Sequence, residues 1–253
     1  MNILFTICGR AGSKGAKGKN IRNFMEHPLV YYTLSVVDLY CRRHKNDCRC
    51  DIALSTDSPE LIELVKKTNL DVFIVNRCKE LSGDFVAKFD VIKDCAKKAE
   101  AFYQTEYDMV VDLDITSPLR KYKDLESVIA KKTERPEIDL VFTVTEARRN
   151  PYFNMVSEQN GSYSAVIPSN YVSRQQAPAV YDMNASIYAY SRCYIHSDKN
   201  SKDRTADIVM MQDTAVLDID SDNDFEMMQL LAEYFYKTDP AYAEIKNHIP
   251  DIC

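Results

Sequence analysis

Two groups of residues have types and spacings that could do chemistry. The first follows the apolar run Ile3, Leu4, Phe5 and Ile7. Four of the chain's six glycines stand just after it, at positions 9, 12, 15 and 18. Arg10, Lys14, Lys17, Lys19 and Arg22 lie among and behind them, and residues 1–25 contain no acid. Glycine lets a backbone approach a ligand closely, and a glycine-rich turn leaving a buried strand can aim several N–H groups at one anion. With this many cations beside it, such a turn suits a polyphosphate better than a single carboxylate. The same composition also describes a solvated basic turn. Neither common phosphate signature fits: Gly18-Lys19 is followed by Asn20, which breaks the P-loop pattern, and glycines spaced by three do not make G-x-G-x-x-G.

The second group is Asp218 and Asp220. Two residues apart on a strand, their side chains would face one way and could share a hard cation such as Mg²⁺, which binds through one or two carboxylates and keeps its waters. With Asp222 and Asp224 following, the run also reads as a solvated acidic turn. The four histidines lie outside both groups. Cys41, His44, Cys48 and Cys50 cluster, but their spacing matches no usual zinc pattern, so no metal is expected there.

The elements that must position these groups follow from hydrophobic spacing. Ile3 to Ile7 reads as a buried strand. Leu29, Tyr32, Val36, Val37 and Tyr40 mark a helix over 28–43. Asp51 to Ser55 is a second strand. A helix follows over about 59–68, with Ser58 as N-cap ahead of Pro59. Asp71 to Val75 is a third strand, and Phe85, Phe89, Ile92, Ala96 and Ala99 form the stripe of a helix over 85–103. Met109 to Asp114 is a fourth strand, 121–134 a helix, and Ile138 to Thr145 a fifth strand. This alternation predicts an α/β fold with a mainly parallel sheet and right-handed crossovers, where ligands collect at the carboxyl ends of the strands. Those ends are Arg10 to Asn20, Thr56-Asp57, Asn76-Arg77 and Asp114 to Arg120. The texture changes over 148–184, which is rich in Tyr, Asn, Ser, Pro and Gln and reads as an inserted β-rich arm. Ala185 to Tyr190 returns to the sheet, Asp207 to Leu217 supplies one or two strands, and Phe225, Met228, Ala232 and Phe235 mark a closing helix. The expected organisation is an α/β domain from 1–147 and 185–253 with the arm inserted between.

A net charge of -6 argues against general nucleic-acid binding and leaves the basic turn a local feature. No apolar run is long enough to span a membrane, and no signal peptide is visible at the start, so a cytoplasmic protein with free thiols is expected.

Several separated motifs resemble those of the acylneuraminate cytidylyltransferases, the CMP–nonulosonic acid synthetases. Gly9 to Asn20 resembles their A-R-x-x-S-K-G-x-x-x-K-N, and Ser55-Thr56-Asp57 their S-T-D. Arg77 to Leu81 is similar to R-P-x-x-L, and Thr116-Ser117-Pro118-Leu119-Arg120 to T-S-P-L-R. Arg174-Gln175-Gln176 and Asn184 to Tyr188 resemble R-Q-Q and N-[GA]-[AS]-I-Y, and Asp218-Ile219-Asp220 resembles D-I-D. The likeness runs in order from Met1 to about Tyr236. It implies a Rossmann-like fold of the nucleotide-diphospho-sugar transferase type, a small dimerisation arm, and transfer of CMP from CTP to an α-keto acid sugar with Mg²⁺, releasing pyrophosphate. It assigns Arg10, Lys14 and Lys19 to the triphosphate and Gly12, Ser13, Asn20, Arg77 and Ser82 to the nucleotide. Asp114, Thr116, Ser117, Arg174, Gln175, Asn184 and Tyr188 fall to the sugar, and Asp218 and Asp220 to the metal. Read without the resemblance, Arg174 is equally a surface arginine and Tyr188 ordinary core. CTP, a nonulosonic acid and a second copy of the chain are the implied partners.

The chain departs from the family in two places. Asp114-Ile115 stands where many members have Gln-Pro, and Asn150-Pro151-Tyr152-Phe153 where the sialic acid site uses a Lys. Both point away from N-acetylneuraminate toward an acceptor with different polar groups, such as legionaminic or pseudaminic acid. Two rivals share the fold: a cytidylyltransferase for the eight-carbon acid KDO, and a non-catalytic nucleotide-sugar sensor.

Overall fold

A computed structural model describes residues 1–12, 15–83 and 85–253. The first strand, β1 (Asn2–Gly9), has Ile3, Leu4, Phe5 and Ile7 fully buried. A short hairpin, β2 (Asn23–Phe24) and β3 (His27–Pro28), leads into α1 (Leu29–Arg43), which buries residues on every turn. Then come β4 (Arg49–Thr56), α2 (Pro59–Lys66) and β5 (Val72–Asn76). Ser58 caps α2 as its spacing predicts, its hydroxyl accepting from the Leu61 N–H. Next are α3 (Lys88–Tyr103), β6 (Met109–Leu113), α4 (Tyr122–Glu134) and β7 (Leu140–Glu146).

The chain then leaves the sheet for a small antiparallel hairpin, β8 (Val156–Gln159) and β9 (Ser162–Ala165). It returns through β10 (Tyr181–Ser191) and a short α5 (Arg192–His196). Last come β11 (Ala206–Met210), α6 (Asp222–Thr238) and α7 (Pro240–His248).

Seven strands form one sheet in the order β11-β7-β10-β6-β1-β4-β5. Only β10 runs antiparallel to its neighbours. The chain steps outward from β1 to β4 and β5, then returns to place β6 on the other side of β1. The carboxyl ends of β1 and β6 therefore flank the point where the winding reverses, where such sheets open a crevice. Alternation along β1 sends Ile3, Phe5 and Ile7 to the core under α1, α4, α6 and α7, and Leu4 to the core under α3 and α5. Thr6 and Cys8 share the second face with Leu4, and Thr6 donates to Asp112 of β6 at 2.8 Å.

The structure adjusts three expectations. Phe85 is fully exposed and lies ahead of α3, which begins at Lys88; the buried stripe starts with Val91 and Ile92. Asp207 to Leu217 supplies one strand, followed by a 3₁₀ turn over Asp213–Val216. Asp218 to Asp220 is not in a strand but is an irregular segment pinned by its buried centre, Ile219. Among the described residues, no helix is long and apolar enough to cross a membrane, and all eight cysteines are unpaired thiols.

Candidate active site

The turn after β1 is held by contacts the sequence places far away. The Ala11 N–H donates to the Asp57 carboxylate at 2.7 Å, so the S-T-D segment at the end of β4 anchors the start of the turn. The Ala16 N–H donates to the Asp220 carbonyl at 2.9 Å. Lys19 completes the link: its ammonium donates to the Ile219 carbonyl at 2.6 Å and to the Asp220 carboxylate at 2.8 Å. Gly12 and Gly18 supply left-handed backbone at φ 72° and 62°. The basic turn and the aspartate pair are thus one structure.

A cavity of about 390 Å³ opens against this structure, a size suited to a small ligand. Arg10, Gly15, Lys19, Asn20 and Asp220 line one end. Arg77, Leu81, Gly83, Val86 and Val91 line another, more apolar end, and Asp114, Ile115, Thr116, Cys8 and Lys88 the floor between them. Arg77 is braced there by donating to the Ser55 carbonyl at 2.7 Å and to its hydroxyl at 3.3 Å. The Ile219 N–H donates to the Thr116 carbonyl at 3.0 Å, tying the segment after β6 to the aspartate pair.

Asp218 is half-buried beside Asp220. Burial, then the charges of Asp220 and Asp114, raise its carboxyl above the usual range, with Lys19 opposing. Asp218 is thus crowded by two neighbouring carboxylates at one edge of the cavity, a crowding that a bound cation would relieve. Among the described residues no group of three or more His, Cys, Asp or Glu closes to form a ready metal cage. The donor set fits a hard cation that keeps most of its waters.

Two residues support this floor in ways the sequence does not give, Lys88 and the Arg120 of T-S-P-L-R. Lys88, in the first turn of α3, places its ammonium 2.6 Å from Asp112 and 2.5 Å from Asp114. Burial opposes its charge, but the two aspartates outweigh that and hold Lys88 well above the usual lysine range. Arg120 is the largest fully buried side chain. It donates to the carbonyls of Ser117, at 2.6 and 2.9 Å, and of Asp114, folding residues 114–120 around itself. Burial lowers its guanidinium to about 10, still charged at neutral pH. Burial also pushes the Cys8 thiol well up, with Asp112 adding to the effect, which leaves it a poor nucleophile.

The structure therefore brings Arg10, Lys19, Asn20, Arg77, Asp114, Thr116 and Asp220 to one cavity, with Asp218 at its edge. Gly12 lies on an adjoining depression with Arg10 and Lys17. Lys14 and Ser13 lie outside the described residues. Other expected residues do not reach the cavity. Ser82 donates to the Cys78 carbonyl at 3.1 Å beside the wall. Ser117 is buried, its hydroxyl bonded to that of Ser186 at 3.1 Å, and so joins two segments of backbone. Asn184 is buried against Met211. Tyr188 lies under the floor, its ring centroid 5.4 Å from the Lys88 ammonium, and burial followed by Asp114 pushes its hydroxyl up to about 12. Arg174 and Gln175 line a separate cavity of about 600 Å³ where the arm meets β10 and β11, with Asn150 and Tyr181. The Arg174 guanidinium donates there to the Arg148 carbonyl.

The chain is similar in sequence and fold to known proteins. Residues 4–238 match the family described as Cytidylyltransferase. The chain is 34% identical over 229 residues to a CMP-N,N'-diacetyllegionaminic acid synthase of Campylobacter jejuni, covering 90% of this chain and 94% of that protein. It is 32% identical over 229 residues to post-translational flagellin modification protein B of Campylobacter coli, with the same coverage of 90% and 94%. Among solved structures, CMP:2-keto-3-deoxy-manno-octonic acid synthetase complexed with CTP superposes with a TM-score of 0.65 at 13% identity, covering 92% of this chain and 99% of that one, which is a likeness of fold. With the match spanning nearly the whole sheet and both halves of the cavity, this chain belongs to the cytidylyltransferase family.

Proposed function

We propose that the protein transfers CMP from CTP to the anomeric hydroxyl of a nine-carbon α-keto acid sugar and releases pyrophosphate. The observation that carries this reading is the joining of the cationic glycine turn to Asp220 in one cavity, through Lys19 and the Ala16 N–H. The triphosphate lies along Arg10 to Asn20, with Lys14 and Ser13 as further contacts. The nucleoside extends toward Arg77 and the apolar wall at Leu81, Val86 and Val91. The sugar's anomeric oxygen forms a bond to the α-phosphorus as the bond to pyrophosphate breaks. Arg10 and Lys19 stabilise the charge that builds on the phosphate oxygens.

Asp218 and Asp220 are the residues that would hold Mg²⁺. Bound there, the ion would neutralise phosphate charge and lower the pKa of the acceptor hydroxyl. The crowding of Asp218 against Asp220 and Asp114 supports this assignment.

The acceptor belongs on the Asp114 and Thr116 side of the cavity. An acidic floor residue and the absence of a Lys near Asn150 favour a legionaminic or pseudaminic type of acid over N-acetylneuraminate, and the named activity of the Campylobacter jejuni relative supports the legionaminic form. Arg174 and Gln175 do not reach this cavity within one chain, so we assign them to acceptor binding across a homodimer. The arm exposes Phe153, Met155, Val156, Tyr163 and Val172. Such a patch on a two-stranded hairpin with little core of its own supports burial against a second copy. Eight unpaired thiols accord with a cytoplasmic enzyme.

The test is a panel of legionaminic, pseudaminic, N-acetylneuraminic and KDO acids with CTP, reading released pyrophosphate. Release with a nine-carbon acid supports the reading. Release with KDO alone moves the protein to the eight-carbon branch, and CTP binding without release makes it a sensor.

A further inference from the structure

The cavity floor poses an electrostatic problem. A nucleoside triphosphate carries several negative charges, yet the floor presents Asp114, with the fully buried Asp112 directly behind it. Unpaired, those carboxylates would repel the ligand that Arg10 and Lys19 attract. Among the described residues, one cation is ion-paired with both. Lys88 bridges both at 2.6 and 2.5 Å, and its side chain stays 38% exposed on the cavity side. Asp112 spends its other oxygen on the Thr6 hydroxyl at 2.8 Å, so its place is fixed by β1. The ammonium is therefore held from below by a rigid acid, and Asp114 is held from the side by the ammonium.

The geometry points to Lys88 as the positioning residue that makes this acidic floor compatible with a polyanion: it cancels the charge of Asp114 toward the cavity and fixes its carboxylate, without itself binding phosphate. Its ammonium donates to Asp114 at 2.5 Å and is ion-paired with Asp112 at 2.6 Å, and the face of Tyr188 lies 5.4 Å away, which leaves the ammonium embedded in the floor. The inference rests on the triphosphate reading of the cavity and adds to it a determinant of affinity.

The experiment is calorimetric titration of CTP into the full-length protein in EDTA, so that no divalent ion contributes. Lys88→Met is expected to weaken binding about tenfold or more, the scale of one uncompensated charge facing several at this range. Lys88→Arg, which keeps the charge, is expected within about threefold of the wild type. The decisive variant is Lys88→Met with Asp114→Asn: with the acid neutralised the cation is no longer needed, and affinity is expected within about threefold of Asp114→Asn alone. Should Lys88→Met not fold, because it strands the buried Asp112, Lys88→Gln with Asp112→Asn keeps a hydrogen bond there, still leaves Asp114 unpaired, and carries the same expected weakening. Wild-type affinity in Lys88→Met, or a double variant as weak as Lys88→Met, overturns the inference; the latter would mean that Lys88 touches the phosphates. A wild type that takes up no CTP at all overturns the nucleotide reading and this inference together, which separates that failure from the other two.

Discussion

The carbonyl oxygen of Asp220 occupies the space that a side chain on residue 15 would need: a Cβ built on Gly15 would lie 1.8 Å from it. The clash is with backbone, so no rotamer change relieves it. Gly15 is required for close approach and not for an unusual φ, in contrast to Gly12, whose φ of 72° faces open space. Gly15→Ala must push the turn off the aspartate segment, breaking the Ala16 to Asp220 hydrogen bond. CTP affinity is expected to fall at least tenfold. Gly12→Ala costs only the left-handed strain of about 1 kcal/mol, and a side-by-side titration of the two variants reads the difference.

Arg120 closes the segment after β6 from inside. Replacing it by Leu leaves the carbonyls of Asp114 and Ser117 without their donor in a buried place. The expected loss is about 3 kcal/mol, one to three for each stranded group, seen as a lower denaturation midpoint at unchanged slope. Lys is not an adequate substitute, because one ammonium cannot reproduce the planar fork that meets both carbonyls.

A pH effect is expected at the junction of α6 and α7. Asp239 accepts from Lys121 at 2.7 Å and caps α7 through the Ala241 N–H at 3.0 Å. The Lys121 bond first, then the cap, hold its carboxyl below the usual range. Because the folded pKa lies below the unfolded one, this contribution is complete above about pH 4, the unfolded value, and is lost as pH falls through the folded pKa. Asp239→Ala should therefore lower Tm by about 2–4 °C at pH 7, and the gap should narrow at pH 3, as thermal scans at the two pH values would show.

The arm should set the oligomeric state. Tyr163 and Val172 are 71% and 78% exposed on it, far from either buried core. Tyr163→Glu with Val172→Asp is expected to convert a dimer to a monomer by light scattering with little change in far-UV circular dichroism. A wild type that elutes as a monomer would remove the arm from the account.

Much of this arrangement was legible in the sequence, for reasons that also explain what was not. Strands β1, β4, β5, β6 and β7 are short apolar runs and the helices between them carry spaced apolar stripes, so periodicity alone finds them within a few residues, whereas the two-residue strands β2 and β3 leave no such signal. The cationic turn announces itself by glycines and charge in one stretch. Lys88 does not: by type it is one lysine among Lys93, Lys97 and Lys98 on the same helix. Its role comes from Asp112 and Asp114, which join it only when β6 is laid beside β1. Arg120 was visible as part of T-S-P-L-R, but its burial, which turns a surface-looking cation into a clamp, was not. Phe85 misled because an aromatic at helical spacing reads as core, while the chain is still in a loop at that point. Helix α7 leaves little periodic signal, because its apolar stripe of Tyr242 and Ile245 is brief, although Asp239-Pro240 is an N-cap followed by proline at the first helical position. Arg174 and Gln175 show the limit of motif reading, which gives order along the chain but not which cavity a loop lines.

Released pyrophosphate, measured with CTP, Mg²⁺ and N,N'-diacetyllegionaminic acid for the wild type and for Arg10→Ala, tests the central claim most directly. The account predicts one pyrophosphate for each CMP-sugar formed by the wild type, and a turnover reduced at least 100-fold in Arg10→Ala, a variant expected to fold normally. Equal turnover in the two proteins would contradict it, as would a wild type that binds CTP yet releases pyrophosphate with no nonulosonic acid offered.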